Sequence, residues 1–560
     1  MKFGEMPYKR VDIGDVAARY RAFTDGVKNA GSAQEILAIF KEHEELTKSV
    51  ETMVTLAHIR KTINTADEFY RAEDEYYDEN TPYLIDAIHG FMDAMLETPF
   101  RPELEKNLGS LLFVNAEISS KEFRPEIVPM LQEENKLIAD YDNLVASAQI
   151  PFRGGVYNVS QLAKFKQDPD RAVRKEAFEA EGGFYAGNKE KLDAIFDSLV
   201  KVRTKIAKEL GYDSFTSVGY LRNTRNCYGP KDVETFRDMV VGDFVPVVCE
   251  LKKAQARRIG VSDLRFWDDV FLFPDGNPAP KADTAGKLAA AKDMYGKMSA
   301  VSGEFFDFML ENDLLDVDAK PGKQVGGYCT ELPLYDSPFI FSNFNGTAGD
   351  VEVLTHEAGH ALASYVANAI DVSELRSPTM ESCECHSMSM EFFAWKYLDL
   401  FYGDDAGRAK LAHMSGCLSF IPYGCMVDEF QQRCYDSPEL TPDERNALWL
   451  SLEKKYRPWV DFGDLPFYSA GSGWQRQLHI FECPFYYIDY CLAQTVALMF
   501  WSLSQKDYAD AFERYFAFVR CGGTKTFKEL VAAAGLPDPF SPGALSGAAE
   551  EAMGYLKCLS

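Results

Sequence analysis

The sequence predicts a mainly α-helical, multi-helical protein with a small β-sheet beside one chemically loaded helix. Three observations carry the fold class. Apolar residues recur at helical spacing over most of the chain. β-Favouring residues gather in a single sustained stretch, residues 325–345. Directly after it, His356-Glu357-Ala358-Gly359-His360 sets two histidines at i and i+4, one above the other on a helix, with a glutamate between them. The chain has 560 residues, more than one ordinary core holds, so two or more domains or subdomains are expected.

In chain order, Ser32 and Glu35 form a capping-box pattern ahead of Ile36, Ile39, Phe40, Leu46, Val50 and Met53 at helical spacing. Thr98-Pro99-Phe100-Arg101-Pro102 breaks the helical run. Residues 149–157 are turn-rich and suit a short hairpin around Gly154-Gly155. Asp168-Pro169 then opens a further helix, the aspartate as N-cap and the proline at the first helical position. A boundary near residue 160 follows: 1–160 as an N-terminal helical domain, 161–560 as the catalytic domain. Residues 273–281 form a loop. So do residues 468–474, whose glycines would permit movement. The strand 339–344 leads through the turn 345–349 to Asp350, which caps a helix running through Val351, Leu354, the histidine pair, Leu362 and Tyr365.

Composition excludes several classes. The formal charge of −27 argues against a nucleic-acid or anionic-membrane partner. No stretch reaches the roughly 18 uninterrupted apolar residues that span a bilayer, and the first ten residues lack the apolar core of a signal peptide. The 12 cysteines are scattered without a CxxC pair, as free thiols in a reducing cytoplasm would be, so a cytoplasmic location is expected. Oligomeric state is open.

His356 and His360 supply two metal ligands and Glu357 a base, which points to a metallohydrolase. The competing account is a structural helix with two satisfied histidines; with 8 histidines in the chain, the motif arises by chance in roughly one such sequence in a hundred. A catalytic site needs a third ligand. Candidates lie in 380–393, which reads as one helix: Glu381, Glu384 and Glu391 fall near one face, whereas Cys383, Cys385 and His386 diverge from it. Carboxylates on an otherwise apolar helix are costly unless paired or metal-bound. Glu352, one turn before His356, is expected to accept the second N–H of that histidine, with Glu391 the alternative. Further along, His479, Tyr486, Tyr487 and Tyr490 offer neutral donors of the kind that hold an oxyanion, although aromatics at helical spacing equally suit a core.

Three segments, 338–360 (PFIFSNFNGTAGDVEVLTHEAGH), 381–393 (ESCECHSMSMEFF) and 479–493 (HIFECPFYYIDYCLA), resemble the oligoendopeptidase F and thimet oligopeptidase family of zinc metallopeptidases, in its bacterial oligoendopeptidase-like and Pz-peptidase-like branch. The resemblance implies a two-part architecture around a deep substrate channel, of which 468–474 would be a flexible wall, and one Zn²⁺ per chain. It implies as third ligand a glutamate followed seven residues later by another, a relation that Glu384 and Glu391 satisfy, with Glu381 as fallback. It also implies a histidine and tyrosines in the third segment that bind substrate and stabilise the transition state: Tyr490, Tyr487 and His479, with Tyr486 among the substrate contacts. The implied activity is cleavage of internal bonds in short unfolded oligopeptides, with Glu357 as general base. The strand 339–344 would take an extended peptide along its edge, with Phe341 and Asn343 as contacts and broad sequence preference. Two other readings stay open. An exopeptidase could use the same metal site, although the Gly-x-Met-Glu-Asn anchor of aminopeptidases is absent. A non-catalytic peptide-binding protein has no need of Glu357.

Overall fold

The computed structural model describes residues 1–559, and most of them are helical. The chain divides into two compact units, each assembled from three separated stretches. One consists of Met1–Ser120, Ala279–Ala406 and Leu503–Leu536. The other consists of Lys121–Pro278, Gly407–Ser502 and the stretch from Pro537 onward. The linear boundary expected at residue 160 coincides with neither. The physical reason lies in the first unit: its N-terminal helices do not close a core alone, but bury Phe91, Leu108 and Phe113 together with Leu375, and with Ile370 and Val372 packed alongside.

In the first unit, Ser32 caps the helix Ala33–Ile63 by accepting the Glu35 N–H, while the Glu35 carboxylate returns to the Gly31 N–H. A three-stranded sheet joins β3 (Leu315–Asp318), β4 (Tyr328–Leu332) and β5 (Ser337–Phe344) in the order β3-β5-β4. β5 runs parallel to β3 and antiparallel to β4, with Tyr328 opposite Phe341 and Thr330 opposite Phe339. The sequence showed β4 and β5 as one β-rich region but gave no sign of β3.

β5 is therefore the central strand and has no free edge for a peptide. Its two neighbours already use its main-chain groups, which also explains its nearly continuous burial. The edges lie on β3 and β4 instead. Phe341 is 1% exposed and stacks on Tyr328 with ring centroids 4.8 Å apart. The Asn343 amide donates to the carbonyls of Gln324 and Gly326, both at 2.8 Å. Both side chains hold the sheet together, so neither is placed as the expected substrate contact.

In the second unit, β1 (Ile150–Phe152) and β2 (Gly155–Tyr157) form the expected hairpin. The helix Arg171–Gly187 starts later than Asp168-Pro169 suggested: Asp168 accepts the Asp170 N–H, and Asp170 is the N-cap, accepting from Ala172. The stretch 468–474 is no flexible wall. Trp474 is fully buried and donates from Nε1 to Asn446 Oδ1 at 2.8 Å. Gly471, at φ +80°, lies so close to the neighbouring helix that a Cβ would meet the Asn446 carbonyl at 2.3 Å. Among the described residues, no helix is long and apolar enough to cross a membrane.

Candidate metal centre

Two helices of the first unit, Gly349–Ala367 and Met380–Phe393, carry the candidate ligands. Asp350 does not cap the first of them. Its carboxylate accepts the Asn345 and Gly346 N–H groups, each at 2.8 Å, and forms a buried ion pair with Lys287. It thereby ties the loop after β5 to the helix start. The two helices approach each other at Gly359, where a Cβ would stand 2.7 Å from Ser387 Cα and 2.8 Å from the His386 carbonyl oxygen. Only a residue without a side chain allows this approach, which brings the Glu384 face against both histidines.

His356, His360 and Glu384 each offer a ligand atom, and these atoms lie within 4.8 Å of one another. Glu384 Oε2 is 3.3 Å from His356 Nε2 and 3.6 Å from His360 Nε2. Charge-assisted hydrogen bonds are normally about 2.7–2.9 Å. Two ligands held about 2.1 Å from one ion at tetrahedral angles stand about 3.4 Å apart. The spacing therefore fits a shared ion better than direct pairing, and two imidazoles with one carboxylate are a donor set typical of catalytic zinc.

His356 Nδ1 is 2.7 Å from Glu391 Oε1, which leaves Nε2 directed at the triad. The carboxylate expected from Glu352 is thus supplied by Glu391. Seven residues after Glu384, Glu391 presents the same helix face to the histidine, whereas Glu352 is solvent-exposed. Glu381 is outside the triad; it is buried and accepts the Thr379 hydroxyl at 2.6 Å. Burial pushes the Cys383 and Cys385 thiols well above their ordinary range, away from the thiolate form that binds metal.

The electrostatics follow from this packing. Burial alone would lower the His356 pKa, but hydrogen bonds and charge from Glu384 and Glu391 outweigh it and raise it well above the usual value. Burial would raise Glu384, and the two histidines reverse that, holding it well below the carboxylate range. Glu357 is only 8% exposed, and burial pushes its pKa up, toward the range of a useful base. Gly327, immediately before β4, faces this carboxylate: a Cβ there would lie 3.8 Å from Glu357 Oε1. Sequence reasoning overlooked it. The doublet Gly326-Gly327, with Gly326 at φ +103°, was the available signal.

In the second unit, His479, Tyr486, Tyr487 and Tyr490 do come together. The His479 ring centroid is 4.8 Å from that of Tyr487 and 6.1 Å from those of Tyr486 and Tyr490. The Tyr423 hydroxyl donates to Gln477 Oε1 at 2.8 Å, and the Gln477 amide nitrogen lies 3.0 Å from His479 Nδ1. With the Gln477 amide assigned this orientation, its NH₂ donates to Nδ1 and Nε2 carries the proton. Burial lowers the His479 pKa to about 4, so the ring is neutral near pH 7. The segment is held from behind at Phe485, a non-glycine residue at φ +70°. Gln431 accepts its N–H at 3.1 Å, while Arg225 donates to its carbonyl and, at 2.8 Å, to Asp489. The phenyl ring occupies the space left by Gly219, where a Cβ would come within 2.3 Å of it.

A helical fold with a His-His-Glu triad and a buried glutamate between the histidines defines a metal-dependent hydrolase. Residues 3–123 match the peptidase M3 N-terminal domain, and residues 164–273 and 290–549 match peptidase family M3. The chain belongs to peptidase family M3 and is a metallopeptidase. Its fold is similar to that of Pz peptidase A, solved with an inhibitor, at 43% identity and a TM-score of 0.94, covering 100% of this chain and 99% of that one. Among curated relatives, oligopeptidase PepF of Bacillus subtilis is 24% identical over 92% of this chain and 79% of its own length. An oligoendopeptidase F homolog of Lactococcus lactis is 20% identical over 90% and 86% respectively.

Proposed function

We propose that this metallopeptidase is a zinc-dependent endopeptidase of short, unfolded oligopeptides. The observation that carries the reading is the spacing of Glu384 Oε2 from the two imidazole nitrogens, 3.3 and 3.6 Å, with Glu357 buried between those histidines in the sequence. His356, His360 and Glu384 would hold one Zn²⁺, which supplies Lewis acidity and makes water nucleophilic at neutral pH. Glu391 fixes the His356 tautomer. Glu357 takes a proton from the attacking water and delivers it to the leaving amine nitrogen; its raised pKa suits both halves of that transfer. Tyr490, Tyr487 and His479, neutral donors, would stabilise the oxyanion, and Tyr486 would contact substrate. The free edge of β4 takes the place first expected of β5, adding an extended peptide through main-chain hydrogen bonds. Resemblance to enzymes named oligoendopeptidase F supports internal cleavage, and the free cysteines among the described residues suit a cytoplasmic setting.

The test is mass spectrometry of end-blocked peptides of about 5 to 40 residues, incubated with zinc-loaded protein and with Glu357→Gln in parallel, because a zinc-activated water requires that base. Internal cuts by the wild type, lost in the variant while zinc content is kept, are expected. Trimming only after the ends are unblocked would indicate an exopeptidase. Retention of peptides without any cleavage would indicate a binding protein.

A further inference from the structure

The second unit is rich in arginines that are buried against carboxylates. Arg203 meets Glu134 at 2.6 Å, Arg225 meets Asp489 at 2.8 Å, Arg237 meets Asp428 at 2.6 Å, and Arg445 meets Asp197 at 2.8 Å. Arg476 differs. Among the described residues its guanidinium has no hydrogen bond or ion pair, although it is partly buried and follows the buried Gln475 directly. Glu181, the acid whose field reaches it, is already taken by Lys166 and by the Tyr468 hydroxyl. Aromatic faces surround the cation instead, with Cζ 5.9 Å from the Phe266 ring centroid and 5.8 Å from that of Tyr468. Its nitrogens are not among the solvent-excluded, unpartnered polar atoms, so solvent reaches them.

Its position connects it to the donor group. Gln477, the next residue, bridges Tyr423 and His479. The Tyr423 ring lies 6.0 Å from that of Tyr487. Burial raises both of these tyrosines, and the Arg476 charge opposes that rise in each. An accessible guanidinium that is fixed by aromatic packing and lacks a carboxylate is prepared for a planar anionic partner.

We propose that Arg476 is a specificity residue that binds a carboxylate of the peptide, either its free C-terminus or an acidic side chain. The proposal rests on the peptidase reading above. It makes part of the affinity depend on charge, although a strand-like main-chain grip by itself would be indifferent to it. Such a contact holds the ground and transition states alike, so it acts on KM and not on kcat.

The test is calorimetric binding to the zinc-loaded Glu357→Gln protein of one N-acetylated peptide in three forms: C-terminal acid, C-terminal amide, and amide with a single glutamate scanned along it. At least one carboxylate form should bind about 10-fold or more tightly than the plain amide, as a charge-assisted hydrogen bond implies. Preference for the acid identifies the chain terminus; preference for a glutamate-bearing amide identifies a side chain. In either case the preference should vanish on adding Arg476→Met and return in part with Arg476→Lys, which also keeps the test valid if the methionine variant misfolds. Equal binding of all three forms, or a preference that survives Arg476→Met, would overturn the proposal. Cleavage of the plain amide by the wild type tests the peptidase reading separately. Cleavage without charge preference sinks Arg476 alone; charge preference without cleavage sinks the peptidase reading alone.

Discussion

Replacing Gly359 by alanine sets two physical effects against each other. In an unobstructed helix interior, alanine is favoured over glycine by about 1 kcal/mol through backbone entropy. Here the new Cβ would stand 2.7 Å from Ser387 Cα and 2.8 Å from the His386 carbonyl oxygen, both main-chain atoms with no rotamer to yield. Carbon–carbon contacts settle at about 3.5–4.0 Å, so the helices must part by about 1 Å. Overpacking of this kind costs about 1–3 kcal/mol, which cancels or exceeds the propensity gain. The larger consequence is at the metal. Ligand distances tolerate about 0.2 Å, and an opening of about 1 Å withdraws Glu384 from the histidines. Zinc affinity should therefore fall at least by the roughly 10–100-fold seen when a ligand's surroundings are disturbed. Competition with a chromophoric chelator measures this, while urea unfolding in excess EDTA isolates the packing cost. A Gly359→Ala protein that is more stable in EDTA and binds zinc as the wild type does would refute the reasoning.

Glu391→Ala should weaken zinc binding about 10–100-fold by freeing the His356 ring, whereas Glu352→Ala should leave it unchanged; the same chelator assay separates the two. Burial, then the neighbouring Glu374, raise the Glu44 pKa from 4.5 to about 7. The fold then keeps a proton that the unfolded chain has already released, so this stabilisation is complete below about pH 4.5 and is lost as pH rises to about 7. The unfolding temperature of Glu44→Gln, relative to wild type, should accordingly climb across that window, and a flat difference would count against it. Arg225→Met leaves Asp489 buried without its cation and releases the Phe485 carbonyl. A loss of about 3–5 kcal/mol in urea unfolding is expected, because a broken buried pair strands a charge.

Much of the site was legible because helix geometry is local. The i, i+4 relation of His356 and His360 follows from 3.6 residues per turn wherever the helix lies, and so does the shared face of Glu384 and Glu391. The hairpin at Gly154-Gly155 was visible for the same reason, since turn chemistry acts over a few residues. The errors were of another kind. β5 looked like an available edge because its composition cannot reveal that β3, more than 20 residues earlier, pairs on its far side. Glu352 looked like the partner of His356 because it was the carboxylate one turn away on the same helix, yet the contact comes from a different helix. The glycines near 471 suggested mobility; in fact they permit close packing against Asn446.

A family resemblance singled out Glu384 and the group from His479 to Tyr490; the sequence by itself determined that a helix would present His356 and His360 on one face with Glu357 between them, and that Glu381, Glu384 and Glu391 would share a face of a second helix. These follow from residue type and helical period, both of which act over a turn or two. Tertiary structure alone decided which carboxylate orients His356, which strands lie at the sheet's edges, how closely the two ligand helices approach at Gly359, and that Arg476 lacks a carboxylate where Arg203, Arg225, Arg237 and Arg445 each have one. Each of these depends on which distant segments share a desolvated space, and no local propensity encodes that choice.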